Sequence, residues 1–134
     1  IAEKCADIMW KNDQASRGLG IVLEKISPGN AEMSLVVEEK HLNGHAICHG
    51  GFIFTLADSA FAFACNSYNQ STVAHSNSIT FISPAYKGQR LLAKAVEKSR
   101  VGRSGIYDVS VTNENNETIA EFRGNSRTIS GQHF

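Results

Sequence analysis

Apolar and polar positions change period several times along the chain, and each change marks an element. In residues 2–11, Cys5, Ile8 and Met9 recur at roughly helical spacing, which predicts a short N-terminal helix docked as a flap over the core. Leu19, Ile21 and Leu23 then alternate, Ser27-Pro28-Gly29-Asn30 supplies a turn, and Ala31, Met33, Leu35 and Val37 alternate again. That pattern is a β-hairpin. Residues 41–51 are too broken by Gly and Asn for regular structure and read as an ordered loop. From Phe52 to about Asn66 there is no Gly or Pro, and apolar side chains fall on every side, as expected of a buried helix. Residues 73–83, 88–99, 105–113 and 118–129 have strand character and are joined by strong turn signals: Ser83-Pro84 with Lys87-Gly88, Val101-Gly102-Arg103-Ser104-Gly105, and Asn113-Glu114-Asn115-Asn116-Glu117. Successive strands after a single helix favour an antiparallel sheet over a parallel one. The expected class is α+β, one sheet around one central helix.

With 134 residues the chain has room for one core, and residues 1–134 are expected to form a single domain. Thirteen Lys and Arg balance thirteen Asp and Glu, so the broad positive footprint of a nucleic-acid binder is missing. Cys5, Cys48 and Cys65 are odd in number and widely spaced, which argues against a disulfide framework or structural zinc and for reduced, buried thiols. No run approaches the ~18 apolar residues of a membrane span, and no N-terminal leader pattern is visible. A cytoplasmic protein is expected, although the first residue is Ile1 rather than Met.

The most informative residue is Asp58. It is the only ionisable carboxylate in a greasy helix, about two turns inside and beyond any capping position. Burying an unpaired carboxylate is costly, so Asp58 must be partnered, protonated or exposed to a cleft. It is either a structural acid bonded to a neighbouring strand or part of a site. His49-Gly50-Gly51 stands immediately before this helix, where free backbone N–H groups and the positive end of the macrodipole favour a polarised carbonyl oxygen. The glycines allow close approach; they also suit a plain loop-to-helix turn. From two turns along, Asp58 is expected to reach the same carbonyl carbon or a water beside it. His41, His45 and His49 recur every four residues, but Asn43 and Gly44 break the helix that would align them as metal ligands, so no metal is expected. His49 is better suited to orienting the loop. Covalent Ser or Cys catalysis, nucleotide hydrolysis and dinucleotide redox chemistry all lack their motifs.

Between residues 87 and 103 stand Lys87, Arg90, Lys94, Lys98, Arg100 and Arg103 against the single acid Glu97, a local charge of +5 balanced by −5 elsewhere. Such a cluster is either a solvated face or a surface for a phosphorylated ligand, with Arg103 and the backbone of Gly102 and Gly105 as first contacts.

Asn43…His49-Gly50-Gly51…Leu56-Ala57-Asp58, then Ser76, Ile79-Thr80-Phe81…Pro84-Ala85 and Gly102-Arg103, together resemble the hotdog-fold acyl-CoA thioesterases of the PaaI type, associated with phenylacetic acid degradation. The resemblance runs in order over about residues 17–130. It implies a six-stranded antiparallel sheet wrapped around the long helix, edge-to-edge dimers assembled into a homotetramer, and active sites across the dimer interface. It would make Asp58 the nucleophile or general base, the Gly50 N–H the donor to the thioester oxygen, Asn43 and His49 supporting groups from the partner subunit, and Ser76 a residue placing the attacking water. Gly51, Arg100, Gly102, Arg103 and Ser104 would bind coenzyme A, which is part of the substrate; no separate cofactor is implied. The expected substrate is an aromatic or medium-sized acyl-CoA. The rivals are an enoyl-CoA hydratase or dehydratase, which needs a catalytic His–acid pair, and a non-catalytic acyl-CoA sensor.

Overall fold

The computed structural model describes residues 1–134. The N-terminal segment forms α1 (Ala2–Asn12), whose Ala2, Cys5 and Ala6 are buried and whose Trp10 meets a core phenylalanine, Phe63, edge-on at 6.4 Å. A second short helix follows, α2 (Gln14–Leu19). The alternation at Leu19 and Ile21 suggested a strand there, but local capping prevails. Asp13 accepts from the Ser16 N–H at 2.9 Å and from Ser16 Oγ at 2.7 Å, and Gly20 ends the helix in the left-handed region at φ +87. The hairpin therefore begins later, with β1 (Val22–Ser27) and β2 (Asn30–Val36), turned at Gly29 with φ +76.

A single turn of 3-10 helix (Glu39–His41) and the loop beyond it lead into α3 (Gly50–Cys65). The helix thus starts two residues before the expected Phe52, and both glycines lie in its first turn. Four strands complete the chain: β3 (Thr72–Phe81), β4 (Arg90–Val101), β5 (Ser104–Thr112) and β6 (Thr118–Thr128). All pairings are antiparallel, in the order β1-β2-β4-β5-β6-β3.

One face of this sheet packs against α3. Leu56, Ala57, Ala60, Phe61 and Ala64 of the helix are buried in one cluster with Met33, Leu35, Leu91, Tyr107, Val109 and Ile119 of the strands. Close approach is possible because Gly124 on β6 has no side chain: a Cβ there would meet the Phe61 ring at 2.8 Å. On its opposite flank α3 is tied to the N-terminal helices by a 2.9 Å contact between Ser16 and Ser59 hydroxyls. Two strands lie at sheet edges. Of these β3 is long and largely exposed, and its apolar end continues into Phe81 and Ile82, each about half exposed. The cysteines are free and buried, and no helix is long and apolar enough to cross a membrane.

Candidate active site

The loop before α3 is held by its own backbone. The His49 N–H donates to the His41 carbonyl and the Cys48 N–H to the Ala85 carbonyl, both at 2.8 Å. Asn43 folds the tip, its Oδ1 accepting from the His45 N–H at 2.8 Å. His41 is fully buried in the wall behind it, with Nδ1 accepting from the Glu38 N–H and Nε2 lying 3.0 Å from the Leu19 carbonyl. It is a core histidine, and no group of three or more His, Cys, Asp or Glu side chains is arranged to hold a metal ion.

His49 caps α3 with its ring: Nδ1 accepts from the Gly51 N–H at 2.9 Å, which leaves Nε2 to carry the proton of the neutral imidazole. The next residue is treated differently. The Gly50 N–H has no hydrogen-bond partner in the protein, while those of Phe52 and Ile53 both reach the His49 carbonyl. One donor at the positive end of a sixteen-residue helix is thus left for another occupant. Beside it lies a cleft of about 380 Å³ lined by Asn43, Ile47, Cys48, Gly50, Ile53 and the Phe81–Pro84 segment. A Cβ at Gly50 would meet the Phe81 ring at 2.9 Å, so any larger residue there requires that half-exposed ring to move. Burial raises the thiol of Cys48, one of the cleft-lining residues, to about 11, which keeps it protonated at neutral pH.

Asp58 is half-buried on the same helix. Its one hydrogen-bond partner is Asn77 of β3, whose Nδ2 donates to Oδ1 at 3.1 Å. Burial holds the Asp58 carboxyl above the usual carboxylate range, and the Asn77 amide offsets part of that rise. Asn77 was not singled out in the sequence, where it is one polar residue among several on an exposed strand. Its neighbour Ser76 occupies the other face of β3, where Asn125 Nδ2 donates to Ser76 Oγ at 3.1 Å. Within one protomer the strand itself separates Ser76 from Asp58.

Geometry also corrects the idea that Gly50 and Asp58 of one chain serve one carbonyl. They are eight residues apart on a continuous helix, about 12 Å of rise at ~1.5 Å per residue. An oxyanion donor sits roughly 3 Å from the oxygen it stabilises, so this span is too long for a single reacting carbon.

The basic segment does not form one patch. From Arg90 to Val101, β4 covers roughly 36 Å at ~3.3 Å per residue, which puts its ends on opposite sides of the molecule. Arg90 pairs with Glu24 at 3.0 Å and Lys87 with Glu39 at 3.8 Å. Arg100 stacks on Tyr68, 3.7 Å from the ring centroid, and is engaged with the end of α3. Arg103 makes no ion pair, and it sits in the β4–β5 turn, where Gly102 has φ +59 and Ser104 is in register with Arg127 of β6. Arg127 is the basic residue that linear spacing missed, because the sheet brings it from twenty-odd positions away.

Known proteins resemble this chain in sequence and fold. The model of the thioesterase superfamily matches residues 45–120, from the second half of the loop through α3, β3, β4 and β5 to the start of β6. The chain belongs to the thioesterase superfamily. The acyl-coenzyme A thioesterase PaaI of Escherichia coli is 40% identical over 126 residues, 94% of this chain and 90% of that one. Its solved structure superposes with a TM-score of 0.96 over 98% of this chain and 95% of that chain. Human acyl-coenzyme A thioesterase 13 is 31% identical over 109 residues, covering 79% of this chain and 78% of the human protein. The fold is therefore the hotdog fold, and the chain is a thioester hydrolase of PaaI type. A thioesterase needs a polarised carbonyl and an oriented oxygen nucleophile.

Proposed function

We propose that the protein hydrolyses aromatic or medium-sized acyl-CoA thioesters to the free acid and coenzyme A, in sites composed across a dimer. The observation that carries this is the unpartnered Gly50 N–H on the same helix as a carboxylate with a single neutral partner, some 12 Å away. Two copies related by a two-fold axis beside Phe54, midway between Gly50 and Asp58, bring each Gly50 opposite the other copy's Asp58. The free edge of β3 and the half-exposed Phe81 and Ile82 supply a surface for such pairing. Asn43 and His49 shape the loop that presents Gly50, and Ser76 joins a site only through pairing of the β3 edges. The apolar cleft beside Gly50 takes the acyl group. Arg103, with Gly102, Ser104 and Gly51, meets the coenzyme A phosphates, while Arg100, stacked on Tyr68, contributes from the rim.

In the general-base form, a water proton passes to Asp58 as the water oxygen bonds to the carbonyl carbon. The carbonyl oxygen gains charge against the Gly50 N–H, the C–S bond breaks, and the departing thiolate takes the proton from Asp58. In the nucleophilic form, an Asp58 carboxylate oxygen bonds to the carbonyl carbon and the C–S bond breaks, with coenzyme A leaving as the thiolate. Water then cleaves the resulting anhydride to the free acid and the restored carboxylate, the proton released passing to the thiolate. A thiolate leaves readily, so neither form needs a metal. Single-turnover hydrolysis in isotopically labelled water separates them: label appearing in the Asp58 carboxylate marks the anhydride. Hydratase chemistry finds less support, because His49 Nδ1 is committed to the Gly51 N–H and no acid bonds its ring. The activity is tested by thiol release from a panel of acyl-CoAs with wild type, Asp58→Asn and Asp58→Ala. Undiminished turnover in both variants contradicts the assignment.

A further inference from the structure

The Asn77 carboxamide is the sheet's one polar contact with Asp58, and its two ends fare differently. Nδ2 donates to Asp58 Oδ1 at 3.1 Å, while the amide's own oxygen is buried with no hydrogen-bond partner. An unpaired buried acceptor is unfavourable to the fold, and an apolar side chain of similar size at this position would avoid it. A residue that weakens the fold at one end and bonds a reactive carboxylate at the other is placed for the carboxylate. We propose that Asn77 is a positioning residue for hydrolysis: by holding Oδ1 it sets the rotation of the Asp58 carboxylate and presents Oδ2 to water or the thioester carbon. This rests on the reading of Asp58 as base or nucleophile.

The surroundings give the amide its weight. From α3 the one titratable neighbour is Cys65, whose thiol burial and the Asp58 charge push up to about 12. From β6 the facing residue is Gly124, the register partner of Asn77. The adjacent Arg123 is committed to Asp108, and His75 is exposed on β3. No cation supports the Asp58 charge, so the Asn77 N–H is its one stabilising contact. A neutral donor suits a base: an Arg in its place would hold the carboxylate ionised too firmly to accept a proton.

The test uses phenylacetyl-CoA as probe with Asn77→Leu, which keeps the bulk, and Asn77→Ser, which keeps a donor. Asn77→Leu is expected to lose about tenfold in kcat with little change in KM, and to shift the acidic limb of kcat/KM upward by about one pH unit. Asn77→Ser is expected to recover part of both. A purely structural role would lower thermal stability and leave the limb in place, and that result overturns the proposal. NMR titration of the Asp58 carboxyl in wild type and each variant reads the contact without turnover. An Asp58 titration unchanged in both variants overturns the proposal even where the probe is cleaved. A shifted titration in a wild type that cleaves no acyl-CoA upholds the Asn77 contact and counts against the proposed activity instead.

Discussion

The two ends of α3 are built on opposite plans. At the C-terminal end the polar side chains are tied down. Buried Asn66 donates to the Ala62 and Thr72 carbonyls and accepts from the Thr72 N–H, and Ser67 bridges the Ala64 carbonyl and the Gly29 N–H. Close by, Glu97 accepts from both Tyr68 and Tyr107, and Arg100 covers the Tyr68 ring. At the N-terminal end a glycine replaces a side chain, a backbone donor is unpaired, and an apolar cleft opens alongside. One end anchors the helix between sheet and chain terminus, and the other leaves a backbone donor unpaired beside a cleft. Asp58 lies between them and belongs with the open end, having one neutral donor and no counter-charge.

Breaking the open end should remove activity without unfolding the protein. Asp58→Asn is expected to reduce kcat by about 10²–10⁴, read by thiol release from a protein that remains folded. Gly50→Pro deletes the N–H at the first helical position, where proline is tolerated, after a His49 already at φ −60 and ψ 132. Its ring needs only the half-exposed Phe81 to turn aside. The expected loss is about 10²–10³ in kcat. Breaking the closed end should do the reverse: Asn66→Ala strands the Thr72 N–H and carbonyl and is expected to cost about 2 kcal/mol of stability in chemical denaturation, with turnover per folded molecule unchanged.

The smallest effect concerns Asp58 and stability. Its carboxyl is raised in the folded state, so ionising it opposes folding: the stability it contributes is full below the ordinary carboxyl range and is lost as pH rises through the folded value. Asp58→Asn should therefore raise the thermal midpoint at neutral pH, and the gain should vanish in acid. A variant less stable than wild type at neutral pH would contradict this.

Much of the open end was legible in the sequence, because a lone carboxylate in an apolar helix and a His-Gly-Gly entry are local features. The α3 helix and the four later strands were placed to within a few residues for the same reason. What escaped detection was made by the third dimension. Asn77 looked like a surface residue until β3 crossed α3. The basic segment looked like one patch until β4 stretched it across the molecule and paired Arg90 with Glu24. Leu19 looked like a strand residue because alternation cannot register that Asp13 and Gly20 had already capped a helix around it.

The composite site is tested most directly by mixing two dead variants. Asp58→Asn and Gly50→Pro protomers, each inactive alone, are co-expressed with different tags and the hybrid is isolated. If Gly50 of one copy works with Asp58 of the other, each hybrid dimer contains one site with both groups intact and should regain about half of wild-type turnover. A hybrid as inactive as its parents would show that each site draws both groups from one chain, and would contradict a site shared between two copies.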